Sequence, residues 1–123
     1  MSKSALSKIA VALAYLWPAI IQAGPKSQPL NEDAALNILL HTLQRDHAYE
    51  KRISLDCVTF DTENTTRTYF EVALREKHNA KCGGDPETSP VVDRYRINRA
   101  SGKIEWYNLP EDRWKTYDPA KIR

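Results

Sequence analysis

Three histidines and two cysteines are the residues of this 123-residue chain whose types best support metal or nucleophile chemistry. Their spacing does not. His41 and His47 stand six positions apart, off the three- and four-residue steps that place two side chains on one helical face, and His78 is remote from both. No GxSxG, HExxH or CxxC motif occurs. The sequence therefore predicts no catalytic residue, no metal site and no cofactor, and a hydrolase would have to assemble its acid pair from distant positions. Cys57 and Cys82 are the only cysteines. Far apart and outside any CxxC, they predict one structural disulfide in an oxidising compartment.

Binding chemistry has more candidates. Alternation along three apolar runs sends Glu71, Arg75, Arg94, Arg96, Glu105 and Tyr107 to one side of a sheet. These form either a solvated ladder of weak ion pairs or a polar docking face, since arginine and tyrosine are enriched at interface hot spots. Asp93 shares the parity of Val91, Tyr95 and Ile97 and so points toward the core edge. Satisfied by an arginine or a backbone N–H it is structural, and unsatisfied it is a site. The loop 81–91 (KCGGDPETSPV), which carries Asp85, is either a plain connector or a recognition element whose pinning by the disulfide lowers the entropy of binding. Trp114 and Tyr117 either pack the C-terminal tail across the sheet or stand exposed as anchors for a partner. The candidate partner-binding residues are thus Asp85, Arg94, Arg96, Tyr107, Trp114 and Tyr117. Phe70, Tyr95 and Trp106 are the candidates for lining an apolar pocket, if the space between helix and sheet is hollow.

The elements that must position these residues follow from periodicity. Residues 1–23 read as a signal peptide: Lys3 and Lys8 with no acid, an apolar run from Ile9 to Ile21 broken only by Pro18, and Ala23 before Gly24. The run is shorter than the ~18–20 residues of a spanning helix, and no cysteine near the cut offers a lipid acceptor, so no stable membrane anchor is expected after cleavage. The leader holds two of the 18 basic residues and none of the 16 acids, leaving 16 of each in the remainder. That balance gives no reason to expect a nucleic acid or an anionic membrane as partner.

Residues 24–30 form an extended lead-in, and 31–123 a single domain. Asn31 is a helix N-cap, with Glu32 and Asp33 in the first turn. Ala35, Leu36, Leu39, Leu40 and Leu43 recur at helical steps, and His47 extends the stripe, predicting a helix over about 32–49. The period then becomes two. Ile53 to Phe60 is a strand, 61–65 a polar turn, and 67–77 a second strand. Val91 to Asn98 and Ile104 to Tyr107 are the third and fourth, joined by a turn containing Gly102. The tail from about 109 has no period and is expected to be irregular. The fold class is α+β: one N-terminal helix packed on a four-stranded antiparallel meander (α-β-β-β-β), with one disulfide.

This order resembles cystatin-like and PepSY-like small exported domains over roughly 31–108. The local likeness is the hairpin Ile97-Asn98-Arg99-Ala100-Ser101-Gly102-Lys103-Ile104, similar to the strand–turn–strand hairpin of PepSY domains. The Gln-Val-Val-Ala-Gly inhibitory loop of cystatins is absent, so protease inhibition is not implied. Three functions are expected in order: a non-enzymatic binding module of the bacterial periplasm or exterior, of inhibitor or immunity type, whose partner is another envelope or secreted protein; a small-ligand carrier; and a minor hydrolase.

Overall fold

The computed structural model describes residues 28–122. The expected leader, its cut after Ala23 and most of the lead-in lie outside the described residues. Among the described residues one α-helix, α1 (Glu32–Arg45), precedes five strands: β1 (Val58–Thr65), β2 (Tyr69–Glu76), β3 (Val91–Asn98), β4 (Ile104–Asn108) and β5 (Arg113–Thr116). The strands form one antiparallel sheet in sequence order, β1-β2-β3-β4-β5. The chain is α+β with a formed Cys57–Cys82 disulfide, as expected, but the meander has five strands instead of four.

Helix α1 begins where its cap dictates. The Asn31 side chain accepts the Ala34 N–H at 2.8 Å, with Glu32 and Asp33 in the first turn. It ends four residues earlier than the apolar stripe suggests. His47 adopts φ 50°, the left-handed conformation, and is exposed. The Ala48 N–H returns to the Leu43 carbonyl at 3.1 Å and the His47 N–H to the Gln44 carbonyl at 3.2 Å. These two bonds are the Schellman closure, with histidine in the place glycine usually takes.

The first strand also differs from expectation. Residues Leu55–Cys57 form a 3-10 turn, with the Ser54 side chain accepting the Asp56 N–H. Strand β1 starts at Val58 and runs through 61–65, the segment expected to turn. The reversal comes at 66–68, where Thr66 Oγ1 accepts the N–H groups of Thr68 and Tyr69. The reason is position in the sheet. β1 is an edge strand with Thr59, Asp61, Glu63, Asn64 and Thr65 exposed, so its composition is that of a turn. A register shift between Thr62 and Asn64 bulges it, a common way of blunting an edge against further pairing.

The tail is not irregular throughout. Asn108 Oδ1 accepts the Glu111 N–H, Asp112 takes φ 51°, and Arg113–Thr116 returns as β5 against β4. Four residues are too few to show a period.

One buried cluster joins helix and sheet. Ala35, Leu39 and Leu43 from α1 share it with Phe70, Val72 and Leu74 from β2, Tyr95 and Ile97 from β3, Ile104 and Trp106 from β4, and Ile122 beyond β5. The helix is also tied by hydrogen bonds near both ends. The Leu30 N–H donates to the Arg99 carbonyl at 2.8 Å, and the Tyr117 hydroxyl donates to Asp46 at 3.0 Å.

The disulfide spans 25 residues between the start of β1 and the loop after β2. Replacing both cysteines by serine should lower unfolding free energy by about 3 kcal/mol while keeping far-UV circular dichroism unchanged. A lower urea midpoint, with a slope that rises as the uncrosslinked denatured chain expands, checks this.

Candidate functional site

Cross-strand pairing builds the outer sheet face, the one opposite the core cluster. Glu71, Arg96, Glu105 and Thr116 lie in one row across β2 to β5. Arg96 Nε donates to Glu105 Oε1 at 2.8 Å, with both side chains largely covered. The Arg96 guanidinium carbon stands 4.2 Å from the Tyr69 ring centroid and 4.9 Å from that of Trp114. Tyr107 meets Trp114 edge-on, with ring centroids 5.3 Å apart. Arg96 is thus held by one carboxylate and two aromatic rings, each contact drawing on the planar guanidinium.

A second group lies toward β1. Arg94 Nε donates to Glu63 Oε1 at 2.8 Å, and Arg75 reaches Asp61 at 3.2 Å and Glu63 at 3.4 Å. The hydrogen bond from Arg94 holds the Glu63 carboxyl below its ordinary range. Between the groups, Ala73 is fully buried although it faces outward, paired with Asp61 and Arg94. The longer neighbours close over its methyl group, as the stems of arginines do on apolar surface. At the β4–β5 turn, Leu109 is 74% exposed.

Four of the six expected partner-binding residues, Arg94, Arg96, Tyr107 and Trp114, share this face. Tyr117 does not. Its hydroxyl bonds to Asp46 at the helix end, and its ring lies 6.5 Å from that of Tyr95. Asp85 is held within the loop, where its carboxylate accepts the Glu87 N–H and its carbonyl faces His78. The sequence reading missed Tyr69, whose parity with Glu71 was available, and Glu63, hidden in the segment read as a turn. Phe70, Tyr95 and Trp106 are 3%, 0% and 8% exposed and fill the core. Asp93 falls on the structural side of its two alternatives. It accepts from the Tyr49 hydroxyl at 2.6 Å and lies 3.4 Å from Arg52 Nη1. Burial raises its pKa despite these partners.

The loop after β2 is braced by more than its disulfide. His78 Nε2 meets Glu76 Oε2 at 2.7 Å, and Nδ1 meets the Asp85 carbonyl at 2.7 Å. The Glu76 hydrogen bond, followed by that to Asp85, raises the imidazole pKa above its ordinary 6.5. Asn79 Oδ1 accepts the Lys81 and Cys82 N–H groups, and its carbonyl accepts that of Gly83. Gly84, at φ 81°, presses against the His78 ring. A Cβ there would lie 2.6 Å from Cδ2.

Among the described residues no group of three or more His, Cys, Asp or Glu side chains could hold a metal ion, and no helix is long and apolar enough to cross a membrane. Comparison with known proteins returns no match to any family model, curated protein or solved structure.

Two predictions follow from this geometry. A double-mutant cycle on Arg96→Lys and Trp114→Ala should give a coupling of about 0.5–1 kcal/mol in urea denaturation, because lysine cannot stack between two rings. For His78 the folded pKa is raised, so its contribution to stability is full below 6.5 and is lost as pH rises through the folded value. The melting-temperature deficit of His78→Gln should therefore be largest near about pH 5.5 and vanish in mildly alkaline buffer.

Proposed function

We propose that the chain is a small exported binding module of a bacterial envelope, of inhibitor or immunity type, that grips another envelope or secreted protein with its outer sheet face. The observation that carries this reading is the Arg96 clamp: an arginine fixed between Tyr69 and Trp114, with Tyr107 edge-on to Trp114. Arginine and large aromatics supply most hot-spot energy, and side chains already held in place lose little entropy when a partner covers them. Arg94 and the exposed Leu109 extend the surface toward one end, where both line a shallow recess with Tyr107. Export is supported by the disulfide, which persists in oxidising compartments.

The test is affinity capture of envelope proteins on the immobilised folded chain, followed by titration of the captured protein against variants. Trp114→Ala should weaken its binding by about 30-fold, as a 2 kcal/mol hot spot does, and Leu109→Asp should weaken it as well. A captured protein that binds both variants as tightly as the parent chain overturns the assignment of this face.

A further inference from the structure

A second feature lies away from the outer face. A cavity of about 460 Å³ opens beside the disulfide, within the size range of small-molecule sites. Its walls come from three stretches: the turn at Arg52–Ser54, the end of β2 with Lys77 and His78, and the tight turn from Lys81 to Gly84. The Cys57–Cys82 bridge joins the 3-10 turn just before β1 to that turn.

The charges lining it are unbalanced. Lys77 and Lys81 enter no ion pair among the described residues. Arg52 uses Nη1 for the Ile122 carbonyl and Asp93, which leaves Nε and Nη2. Glu76 is the one carboxylate in the lining, and His78 occupies it at 2.7 Å. The nearby Asp85 carboxylate is engaged by the Glu87 N–H, and Asp56 lines a different cavity. The Gly84 N–H makes no hydrogen bond among the described residues. Two lysines without an ion pair, an arginine shared with Asp93 and a residue with a spare amide donor therefore line one recess, in a chain whose remainder after the expected leader is charge-balanced.

We propose that this cavity is a binding site for a small multivalent anion carrying carboxylate or phosphate groups. Such a ligand supplies the counter-charge that Lys77 and Lys81 lack, and ammonium and guanidinium groups make strong charge-assisted hydrogen bonds to both oxyanion types. The bracing of the loop means that little of the binding energy is lost in ordering it. The site is independent of the outer sheet face and does not rest on the protein-binding reading.

The test is a titration of the ¹⁵N-labelled folded chain with citrate and, separately, with inorganic phosphate, at ionic strength held constant with sodium chloride. Saturable shifts of the Lys77, Lys81, Gly83 and Gly84 amides are expected. The Lys77→Ala/Lys81→Ala variant should bind at least about tenfold more weakly, whereas Lys103→Ala/Arg113→Ala, which removes the same charge elsewhere, should bind as the parent does. Lys81→Glu alone serves if the double variant melts lower than the parent. Saturation by citrate only, or by phosphate only, assigns the oxyanion. No saturable shift with either, or equal affinity in the cavity variant, overturns the proposal.

Discussion

The hydroxyl of Tyr49 is the point at which three parts of the chain meet. Tyr49 follows the helix, Asp93 and Tyr95 lie on the central strand β3, and Arg52, which faces the Tyr49 ring at 5.4 Å, also holds the carbonyl of Ile122 at 2.7 Å. Proton counting fixes the direction of the network. A phenol has one proton to give. With the Tyr49 proton aimed at Asp93, the Tyr95 hydroxyl must donate to the Tyr49 oxygen, so the chain runs Tyr95 to Tyr49 to Asp93. Each bond polarises the next, and the last falls on a carboxylate whose charge burial penalises. Burial likewise pushes both phenol pKa values upward, which keeps the donors protonated. Removing any member leaves a buried polar group without its partner, which is costlier than the net worth of the bond.

Because this network anchors the core side of β3, the opposite side is left to long polar side chains. Alternation makes the division unavoidable. Tyr95 and Ile97 face inward, and Arg94 and Arg96 therefore face outward on the same strand. The outward arginines are then satisfied in two different ways. Arg94 rests on the exposed, acidic edge strand through Glu63. Arg96 lies nearer β5 and is enclosed by rings as well as by Glu105. The first arrangement is screened by water and salt, while the second is largely desolvated and geometrically fixed. That contrast separates a water-screened pair on the β1 side of the sheet from a desolvated, rigid one on the β4–β5 side.

How much of this was legible in the sequence varied with the strength of the local signal. Asn31, the leucine stripe of α1 and the alternation of 91–98 each state their element directly, and the structure contains each. The end of the helix did not follow from the stripe, because His47 sits at a helical step yet takes a left-handed backbone. Hydrophobic spacing cannot see that exchange of a side-chain position for a C-terminal closure. β1 was misplaced for a related reason. An edge strand wet on one face, with a bulge at Glu63, has the composition of a loop. β5 is defined by its hydrogen-bond partner β4 and by the Asn108–Asp112 turn, not by its own four residues. The outer face was legible as a set of outward residues, but the clamp was not. It depends on Tyr69 standing diagonal to Arg96, a relation fixed only by the register of β2 on β3.

The loop after β2 shows order built from a different source than the core. The disulfide fixes Cys82, but the residues beyond it are placed by one imidazole. Both ring nitrogens of His78 face acceptors, the Glu76 carboxylate on one side and the Asp85 carbonyl on the other. A neutral ring has only one N–H, so the lone pair of its other nitrogen would point at an oxygen. The imidazolium satisfies both at once. Gly84 is needed for the same arrangement, because any Cβ would strike the ring that makes these bonds. Thr88 then donates its N–H and hydroxyl to the Asp85 carbonyl, and Ser89 its hydroxyl to the Glu76 backbone carbonyl, carrying the order back to the start of β3. A covalent bridge, one proton and one missing methyl group together hold a surface loop that has little apolar material of its own.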